Sequence, residues 1–439
     1  MTTAKLKDMY DHEVDLVRMQ SDRQRNLVQA MNTTGMDAVV LVDPTNVQYA
    51  GDASVVAGGA KPAVVVVTAD GKRQVFEAPE APATAPVVGD DEEAPALMAI
   101  AEGDATMNDV ADFLRAEGCQ RVAVDEVDVD SLRALQWGFG HPRNGRIGGS
   151  GSAVAALARL VKTPDELECM RRSQQLAELS MEKVREVTRP GVRYDELTGT
   201  MAAFFADLDP DGEVLTTIFG PAATAPILIW HLASASPYNV AGEPPFPLLP
   251  FPAGQAAVGD VIIGDTTLKY YGMECDWGRT WTIGDPSAHL VDQYHRWCDV
   301  RDRVVETFKN GMTAADALKA STAGGERRPW LSHLYLIHGM GLLPAEYPMI
   351  GVDPECWYYE NLVELGARPP WSSLSPEAKL WPTRDEECVF EPGMVLVLEP
   401  AIWDDEEGIG GYRSEDIYVV TESGEPEQIS HASYAPFED

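Results

Sequence analysis

The chain has 439 residues, with 70 Asp and Glu against 34 Lys and Arg and a formal net charge of −36. This excess of negative charge argues against nucleic acid and against an anionic membrane surface as partners, because both are polyanions. Hydrophobic residues make up 45% of the chain, the balance of a globular protein, and a chain of this length is expected to form two domains.

Three further features indicate the compartment. The first ten residues are polar, no apolar run is long enough to span a membrane, and the six cysteines include no Cys-x-x-Cys pair. We therefore expect a cytoplasmic protein without a disulfide framework, a thiolate zinc site or a membrane partner. The acidity, with Lys scarce beside Arg, also suits a high-salt cytoplasm.

Residues 1–153 are predicted to form an α/β domain. Apolar residues at helical spacing predict a first helix over 13–35, and a second is predicted around 110–116. Short apolar runs predict buried strands at residues 36–42, 63–68 and 121–124. The Gly-rich stretch 142–152 is predicted to be a linker, because it lacks the GxGxxG spacing of a phosphate-binding loop and follows no predicted strand.

Residues 154–439 are predicted to form an α+β domain. Thr163 and Glu166 have the spacing of a capping box before a long amphipathic helix, and a second helix is predicted over Tyr194–Leu208. The later elements are expected to be strands at 258–267 and 280–283, a helix over about 289–309, and strands at 395–401 and 416–421.

Carboxylates and one imidazole occur at the ends of the predicted strands, where a rigid backbone could bring them together as metal ligands. Asp265 ends one strand and Asp276 precedes the next, so a turn between them would set the two side by side. His338 is followed by glycines at 339 and 341, which let the backbone approach closely. The final strands add Glu399 and Glu415.

The order of these five residues resembles the pita-bread metallopeptidase family, which includes methionine aminopeptidase, aminopeptidase P, prolidase and creatinase. The neighbours that carry the resemblance are Arg279-Thr280, His338-Gly-Met-Gly341, Glu391-Pro-Gly-Met394, Glu399-Pro400 and Gly411-Tyr-Arg-Ser-Glu415-Asp416. The resemblance covers roughly residues 155–439 and implies a pita-bread catalytic domain. The first domain resembles the creatinase-type N-terminal domain of the larger members, which implies a homodimer.

The resemblance also implies a site for two divalent metal ions, with Asp265, Asp276, His338, Glu399 and Glu415 as ligands. Four carboxylates neutralise two divalent cations, and Mn, Fe, Co or Zn would suit such a site. As catalytic residues beside His338, the resemblance implies Glu399, which would take a proton from the attacking water, and Arg413, which would orient a carboxylate or the group that bridges the metals.

The chain departs from the peptidases of this family at two histidines. The peptidases carry a second His seven residues after the first, and here Ala345 stands at that position, before Glu346 and Pro348. This change removes a hydrogen-bond donor aimed at developing charge. A further family His lies before the first ligand, and the nearest candidate is His231, which could equally be a structural histidine on an apolar strand.

Several functions therefore remain open. The first is a metal-dependent hydrolase of a small peptide-like or amide C–N bond, with Xaa-Pro dipeptides as the default substrate class. Creatinase-like and ectoine-hydrolase-like enzymes, which also hydrolyse C–N bonds, are a related possibility. The second is a lyase acting on a small onium carboxylate such as dimethylsulfoniopropionate, although the Asp expected near the His338 motif is absent and Thr267 replaces an expected acid. The third is a metal-binding homologue without catalysis.

The segment 353–386 is rich in Trp, Tyr and Pro and is inserted between His338 and Glu399. Its aromatic rings could form a lid that holds an onium cation. They could also simply pack against one another in a surface insertion.

Overall fold

The computed structural model describes residues 14–51, 62–77, 107–125, 132, 135, 139, 146–208, 215–216, 232–233, 255–266, 268–323, 336–343, 345–351, 387–403 and 411–437. The chain divides into two compact units, one built on Asp15–Arg159 and the other on Leu160–Arg368 and Pro382–Asp439. The boundary predicted between residues 153 and 154 falls inside the helix Gly151–Leu160. Within the ranges given above, no helix is long and apolar enough to cross a membrane.

The first unit is an α/β unit around a five-stranded sheet, as predicted. Its elements are α1 (Leu16–Thr34), β1 (Ala38–Leu41), α2 (Pro44–Ala50), β2 (Pro62–Thr68), β3 (Arg73–Glu77), α3 (107–116), β4 (Arg121–Val124), β5 (Arg146–Ser150) and α4 (Gly151–Leu160). The strand order is β3-β2-β1-β4-β5, with β1 antiparallel to β2 and parallel to β4. Valines of the strands pack against Val110 and Leu114 of α3 in a fully buried cluster.

The linker predicted over residues 142–152 is wrong for residues 146–152, which form the edge strand β5, parallel to β4, and the start of α4; residues 142–145 lie outside the described part of the chain. Two of its glycines lie where other parts of the chain pass closely. A Cβ on Gly149 would lie 2.9 Å from Cε of Met36, and one on Gly151 would lie 2.5 Å from the main-chain nitrogen of Asp125. The Gly-rich composition therefore reflects close backbone packing.

A buried carboxylate stands just after β4. Asp125 accepts hydrogen bonds from the main-chain N–H groups of Val42 (2.7 Å) and Asp43 (3.1 Å) and from Nδ2 of Asn46 (3.2 Å). These bonds connect β4 to the first turn of α2. Burial raises the pKa of Asp125 from its ordinary value of 3.8 to about 6, against the opposing effect of the hydrogen bonds.

The second unit combines helices with short antiparallel strands. Its helices are α5 (Pro164–Val187), α6 (Tyr194–Leu208), α7 (Ala288–Val305) and α8 (Ala314–Ser321). Its strands are β6 (Leu215–Thr216), β7 (Leu232–Ala233), β8 (Val261–Thr266), β9 (Lys269–Tyr270), β10 (Met273–Glu274), β11 (Trp277–Thr282), β12 (Ile337–Gly339), β13 (Glu346–Ile350), β14 (Val395–Leu398), β15 (Ala401–Trp403), β16 (Gly411–Arg413), β17 (Asp416–Val419) and β18 (Glu427–Gln428).

Local sequence signals explain two features of this unit. The predicted capping box opens α5: Oγ1 of Thr163 accepts from the N–H of Glu166 (3.2 Å), and Oε2 of Glu166 accepts from the N–H of Thr163 (2.8 Å). β9 and β10 form a hairpin whose two turn residues, Tyr271 and Gly272, both have positive φ. Such turns match the twist of the strands, so the chain reverses tightly between β8 and β11.

Two sheets of the second unit carry the residues of interest. β11 pairs with β8, and Gly278 of β11 lies opposite Asp265 of β8. The other sheet has the order β13-β12-β14-β17-β18, in which β12 and β17 flank β14 as antiparallel neighbours. β12, β14 and β17 are buried along their whole length. The ends of these strands are therefore held rigidly.

Candidate metal centre

Four of the five predicted ligands lie at strands or strand ends of the second unit. Asp276 immediately precedes β11, His338 is the middle residue of β12, Glu399 follows β14 and Glu415 precedes β17. All four are buried, with exposed fractions between 1% and 7%. Carboxylates this deep are costly unless they are paired or bind a metal.

His338 lies between two of these carboxylates. Its Nε2 is 3.2 Å from Oε1 of Glu399 and 3.4 Å from Oδ2 of Asp276. Two donors bound to one metal at about 2.1 Å, at tetrahedral or octahedral angles, stand ~3.0–3.4 Å apart. The two distances around His338 fall in that range.

The other ring nitrogen of His338 determines what Nε2 can do. Nδ1 is 2.9 Å from the carbonyl oxygen of Gly339. Because a carbonyl only accepts hydrogen bonds, Nδ1 must carry a proton, and in the neutral ring Nε2 is then an unprotonated lone pair. A lone pair that faces two carboxylate oxygens needs a cation between them, either a proton or a metal ion.

The guanidinium of Arg413 connects Glu399 to the fourth candidate ligand, Glu415. Nη2 of Arg413, at the end of β16, donates to Oε2 of Glu399 at 2.5 Å and also to Oε1 of Glu415. The second oxygen of Glu415, Oε2, is buried and has no hydrogen-bond partner. A buried carboxylate oxygen without a donor is the kind of group that a metal ion satisfies.

The pKa shifts agree with this arrangement. Burial lowers the pKa of His338, but the hydrogen bond with Glu399 and the charges of Glu399 and Asp276 outweigh burial and raise it. Burial raises the pKa of Glu399, but the charge of Arg413 and the hydrogen bond with His338 outweigh burial and lower it. Glu399 is therefore held as a carboxylate, the form that binds a cation.

Gly278 and Arg279, both on β11, fix the position of Glu415. A Cβ on Gly278 would lie 2.7 Å from Cδ and 2.9 Å from Oε2 of Glu415, so only glycine leaves room for that carboxylate. The fully buried Arg279 donates to the main-chain carbonyl of Glu415 and, at 3.0 Å, to Oδ1 of Asp416. These contacts fix the chain on both sides of the Glu415 side chain.

Within the described part of the chain, no group of three His, Cys, Asp or Glu side chains is arranged as a metal site as it stands. The donor chemistry nevertheless fits a divalent metal: one imidazole whose Nε2 faces two carboxylates, and a third carboxylate, Glu415, whose Oε2 has no hydrogen-bond partner. Asp265 contributes its backbone to β8, but its side chain lies outside the described residues, as do His231 and the segment 353–386. The roles assigned to these residues stay predictions.

Sequence reasoning missed the charged residues next to this centre. Lys269 and Glu274, on the β9–β10 hairpin, form an ion pair with Nζ 3.2 Å from Oε1, and Glu274 is completely buried. Burial raises the pKa of Glu274 to about 8, with the charge of Lys269 opposing. The sequence did contain a signal for this pair. The chain has only ten lysines, and Lys269 lies between two predicted ligands, four residues after Asp265 and seven before Asp276.

The structure describes position 345, where the peptidases of the family carry their second histidine. Ala345 immediately precedes β13 and is half-buried. Oε1 of Glu346, the next residue, accepts hydrogen bonds from the main-chain N–H groups of Leu342 (3.0 Å) and Leu343 (3.2 Å). The apolar methyl group of Ala345 offers no hydrogen-bond donor of the kind that the peptidases have there.

Comparisons with known proteins give the family. Residues 168–422 match the sequence profile of metallopeptidase family M24. The chain is 24% identical over 438 residues to a dimethylsulfoniopropionate lyase of Roseovarius nubinhibens, covering 93% of this chain and 85% of that protein. It is 23% identical over 269 residues to the uncharacterized peptidase YqhT of Bacillus subtilis and spans 61% of the length of that relative.

Solved structures share the fold over nearly the whole chain. A structure of an Xaa-Pro dipeptidase from Bacillus anthracis superposes with a TM-score of 0.63 at 19% identity, covering 94% of this chain and 98% of that one. The predicted fold class, an α/β N-terminal domain followed by an α+β pita-bread catalytic domain, is thereby confirmed. Since the family profile spans more than half of the residues, the chain belongs to metallopeptidase family M24.

Proposed function

We propose that the protein is a metal-dependent hydrolase of a small peptide-like or amide C–N bond. The observation that carries the proposal is the environment of His338: Nδ1 donates to Gly339, and Nε2 faces carboxylate oxygens of Glu399 and Asp276 at 3.2 and 3.4 Å. Membership of a metallopeptidase family supports a cation at this point.

The proposed metal ligands are Asp265, Asp276, His338, Glu399 and Glu415, which would hold two divalent ions. A metal pair in such a site polarises a carbonyl oxygen and lowers the pKa of water, so that water attacks at neutral pH.

The protein's own groups have separate tasks. Glu399, kept ionised by Arg413, accepts the proton that the attacking water loses. Arg413 holds Glu399 and Glu415 in fixed positions through its contacts with both carboxylates. Gly339 holds the neutral His338 ring in the tautomer whose Nε2 is unprotonated. Ala345 adds no donor to a developing oxyanion, so we expect slower turnover of ordinary peptides than in relatives with a histidine there.

The first test is the metal content of the chelator-stripped full chain after reconstitution with Mn²⁺, Fe²⁺, Co²⁺ or Zn²⁺. We expect close to two ions per chain in the wild type and a clear loss in Asp276→Ala and His338→Ala, with the fold preserved by circular dichroism. His295→Ala, on the exposed side of α7, is the matched control and should bind like the wild type. A wild type that takes up no ion of this series would overturn the proposal.

The second test is a substrate panel for the loaded protein. Release of free proline from Xaa-Pro dipeptides, lost in His338→Ala, is the outcome that the proposal expects. A panel of primary amides and N-acyl amino acids extends the test to other C–N bonds. Full metal loading without hydrolysis of any of these would contradict a hydrolase and leave either a lyase or a metal-binding homologue without catalysis.

One observation favours a second candidate, a lyase acting on a small onium carboxylate. The lyase of Roseovarius nubinhibens aligns with 93% of this chain, whereas YqhT aligns with 61%. In such a lyase, a base removes a proton from the carbon next to the carboxylate, the C–S bond breaks, and dimethyl sulfide and acrylate are formed. Detection of both products from dimethylsulfoniopropionate, with no proline release, would replace the hydrolase proposal.

A further inference from the structure

The loop that follows the candidate ligand His338 is fully hydrogen-bonded. It consists of residues 341–343, between β12 and β13, and each of its six polar main-chain groups has a partner. The N–H of Gly341 donates to the carbonyl of Leu343 at 3.1 Å, and the carbonyl of Gly341 accepts from the N–H of Glu274 at 2.7 Å. The remaining groups are bonded by charged side chains.

Two of those side chains act on Leu342 with opposite charges. Nζ of Lys269 donates to its carbonyl at 2.7 Å, and Oε1 of Glu346 accepts from its N–H at 3.0 Å. Lys269 also lies 3.2 Å from Oε1 of Glu274. We call Lys269, Glu274 and Glu346 the ionic clamp.

The ionic clamp joins the two elements that carry Asp276 and His338. Glu274 lies two residues before Asp276, and its main chain bonds Gly341, three residues after His338. Lys269, from the same hairpin, bonds the next residue of the loop. The distance between the Asp276 backbone and the His338 backbone is therefore set by the hairpin and the loop together.

Stability alone does not account for the ionic clamp. Glu274 is completely buried, and neither of its oxygens has a hydrogen-bond partner, although Oε1 faces Lys269. Replacing a buried ion pair by apolar side chains of similar size is often neutral or stabilising. A buried ion pair that contributes little net stability, placed two residues from the predicted ligand Asp276, points to a role at the predicted ligands.

We propose that Lys269 and Glu274 are positioning residues of the metal centre, which hold the loop 341–343 and thereby keep the His338 imidazole opposite Asp276. The inference rests on the metal site of the proposed function. It assigns metal affinity, and not fold stability, to the Lys269–Glu274 pair. Loss of such supporting partners typically weakens metal binding about 10–100-fold.

The test measures Mn²⁺ affinity by isothermal titration calorimetry on the chelator-stripped full chain. The variants are Lys269→Met, Glu274→Gln and the apolar double variant Lys269→Met with Glu274→Leu. We expect each to raise the Kd for Mn²⁺ by roughly 10-fold or more. The double variant should have a Tm without metal close to that of the wild type, because removing both charges together offsets the lost bond to the Leu342 carbonyl.

Lys309→Met is the matched control, since Nζ of Lys309 lies 3.2 Å from Glu306 in an exposed pair of the same unit. It should leave the Kd unchanged. Lys269→Arg is the rescue variant, since a guanidinium still donates to the Leu342 carbonyl, and it should recover most of the affinity.

The outcomes separate this inference from the proposed function. If the wild type binds no Mn²⁺ or any other ion of the series, the proposed function fails, and this inference fails with it. If the wild type binds Mn²⁺ and both the double variant and Lys269→Met bind within about threefold of it, the positioning role is overturned while the metal site stands. A Kd that rises only in variants whose Tm without metal falls would equally overturn it in favour of a structural role.

Discussion

At the scale of single residues, the direction of the His338 ring is set by the backbone. The Gly339 carbonyl accepts a hydrogen bond from Nδ1–H, so Nε2 is the nitrogen that faces Asp276 and Glu399. The imidazole is therefore prepared for a cation before any cation binds.

We expect Gly278→Ala to weaken metal binding by roughly 10-fold or more, because the new methyl group would lie 2.7 Å from Cδ of Glu415 and displace that carboxylate. Metal titration of the stripped protein measures the effect. Gly199→Ala is the control, since nothing lies within 4 Å of a Cβ there, and in the helix α6 it should add about 0.5–1 kcal/mol of stability. Unchanged affinity in Gly278→Ala would show that Glu415 is not needed in its present position.

We expect Asp125 to make the first unit less stable as the pH rises. Its pKa is about 6 in the folded chain against an ordinary value of 3.8, so the folded chain binds the proton more tightly and loses this advantage as the pH rises through 6. The full effect is about 3 kcal/mol, of which roughly half develops between pH 5 and 8.

The measurement compares urea unfolding of the wild type and Asp125→Asn at several pH values from 5 to 8. The lost hydrogen bonds lower the stability of the variant by a constant amount, so only the change with pH is informative. Relative to the variant, the wild type should lose roughly 1–1.5 kcal/mol across this range. A difference independent of pH would contradict a raised pKa for Asp125.

At the scale of elements, capping and pairing determined where helices and strands begin. The capping box at Thr163 placed the start of α5, and the helix Tyr194–Leu208 and the strand Arg121–Val124 have the bounds that their apolar patterns predicted. The signals were local in each case. Such signals were absent for β5 and the start of α4, where Gly149 and Gly151 are explained only by the close approach of Met36 and Asp125.

We expect Thr163→Ala to lower the free energy of unfolding by about 1 kcal/mol, because it removes one bond of a buried capping box. Urea unfolding followed by circular dichroism measures the loss, and Thr163→Ser should retain most of the stability. Thr200→Ala, which removes a hydroxyl that bonds only the carbonyl of Glu196 inside α6, is the control. An equal loss in both variants would argue against a special role of the cap.

At the scale of the whole molecule, the net charge of −36 opposes the compact state through self-repulsion. We expect the Tm to rise by roughly 2–5 °C between 0.01 and 0.1 M NaCl, as the screening length falls from about 30 to 10 Å. If screening is the cause, tetramethylammonium chloride at the same ionic strength should raise the Tm by the same amount as NaCl. A Tm that stays constant or falls with salt would contradict this expectation.

The candidate centre was predictable only in part. Asp276, His338, Glu399 and Glu415 were predicted as ligands from their order along the chain and their neighbours, and that role stays a prediction. The structure places His338 beside Asp276 and Glu399, and Arg413 contacts Glu399 and Glu415. The ion pair of Lys269 and Glu274 was not found. The role proposed for this pair depends on its contacts with the loop 341–343, which is about 70 residues away in sequence. A local sequence pattern does not predict contacts between such distant residues.

The spread of the predicted ligands along the chain has a consequence for folding. Asp276, His338, Glu399 and Glu415 come from four strands, and the sheet that joins the last three needs β12, β14 and β17 together. Contacts this distant in sequence form late, after the loops between them have closed. A chain still emerging from the ribosome would hold Asp276 and His338 without their partners. Metal uptake during refolding should therefore follow the slowest folding phase, and so report that the whole second unit is complete.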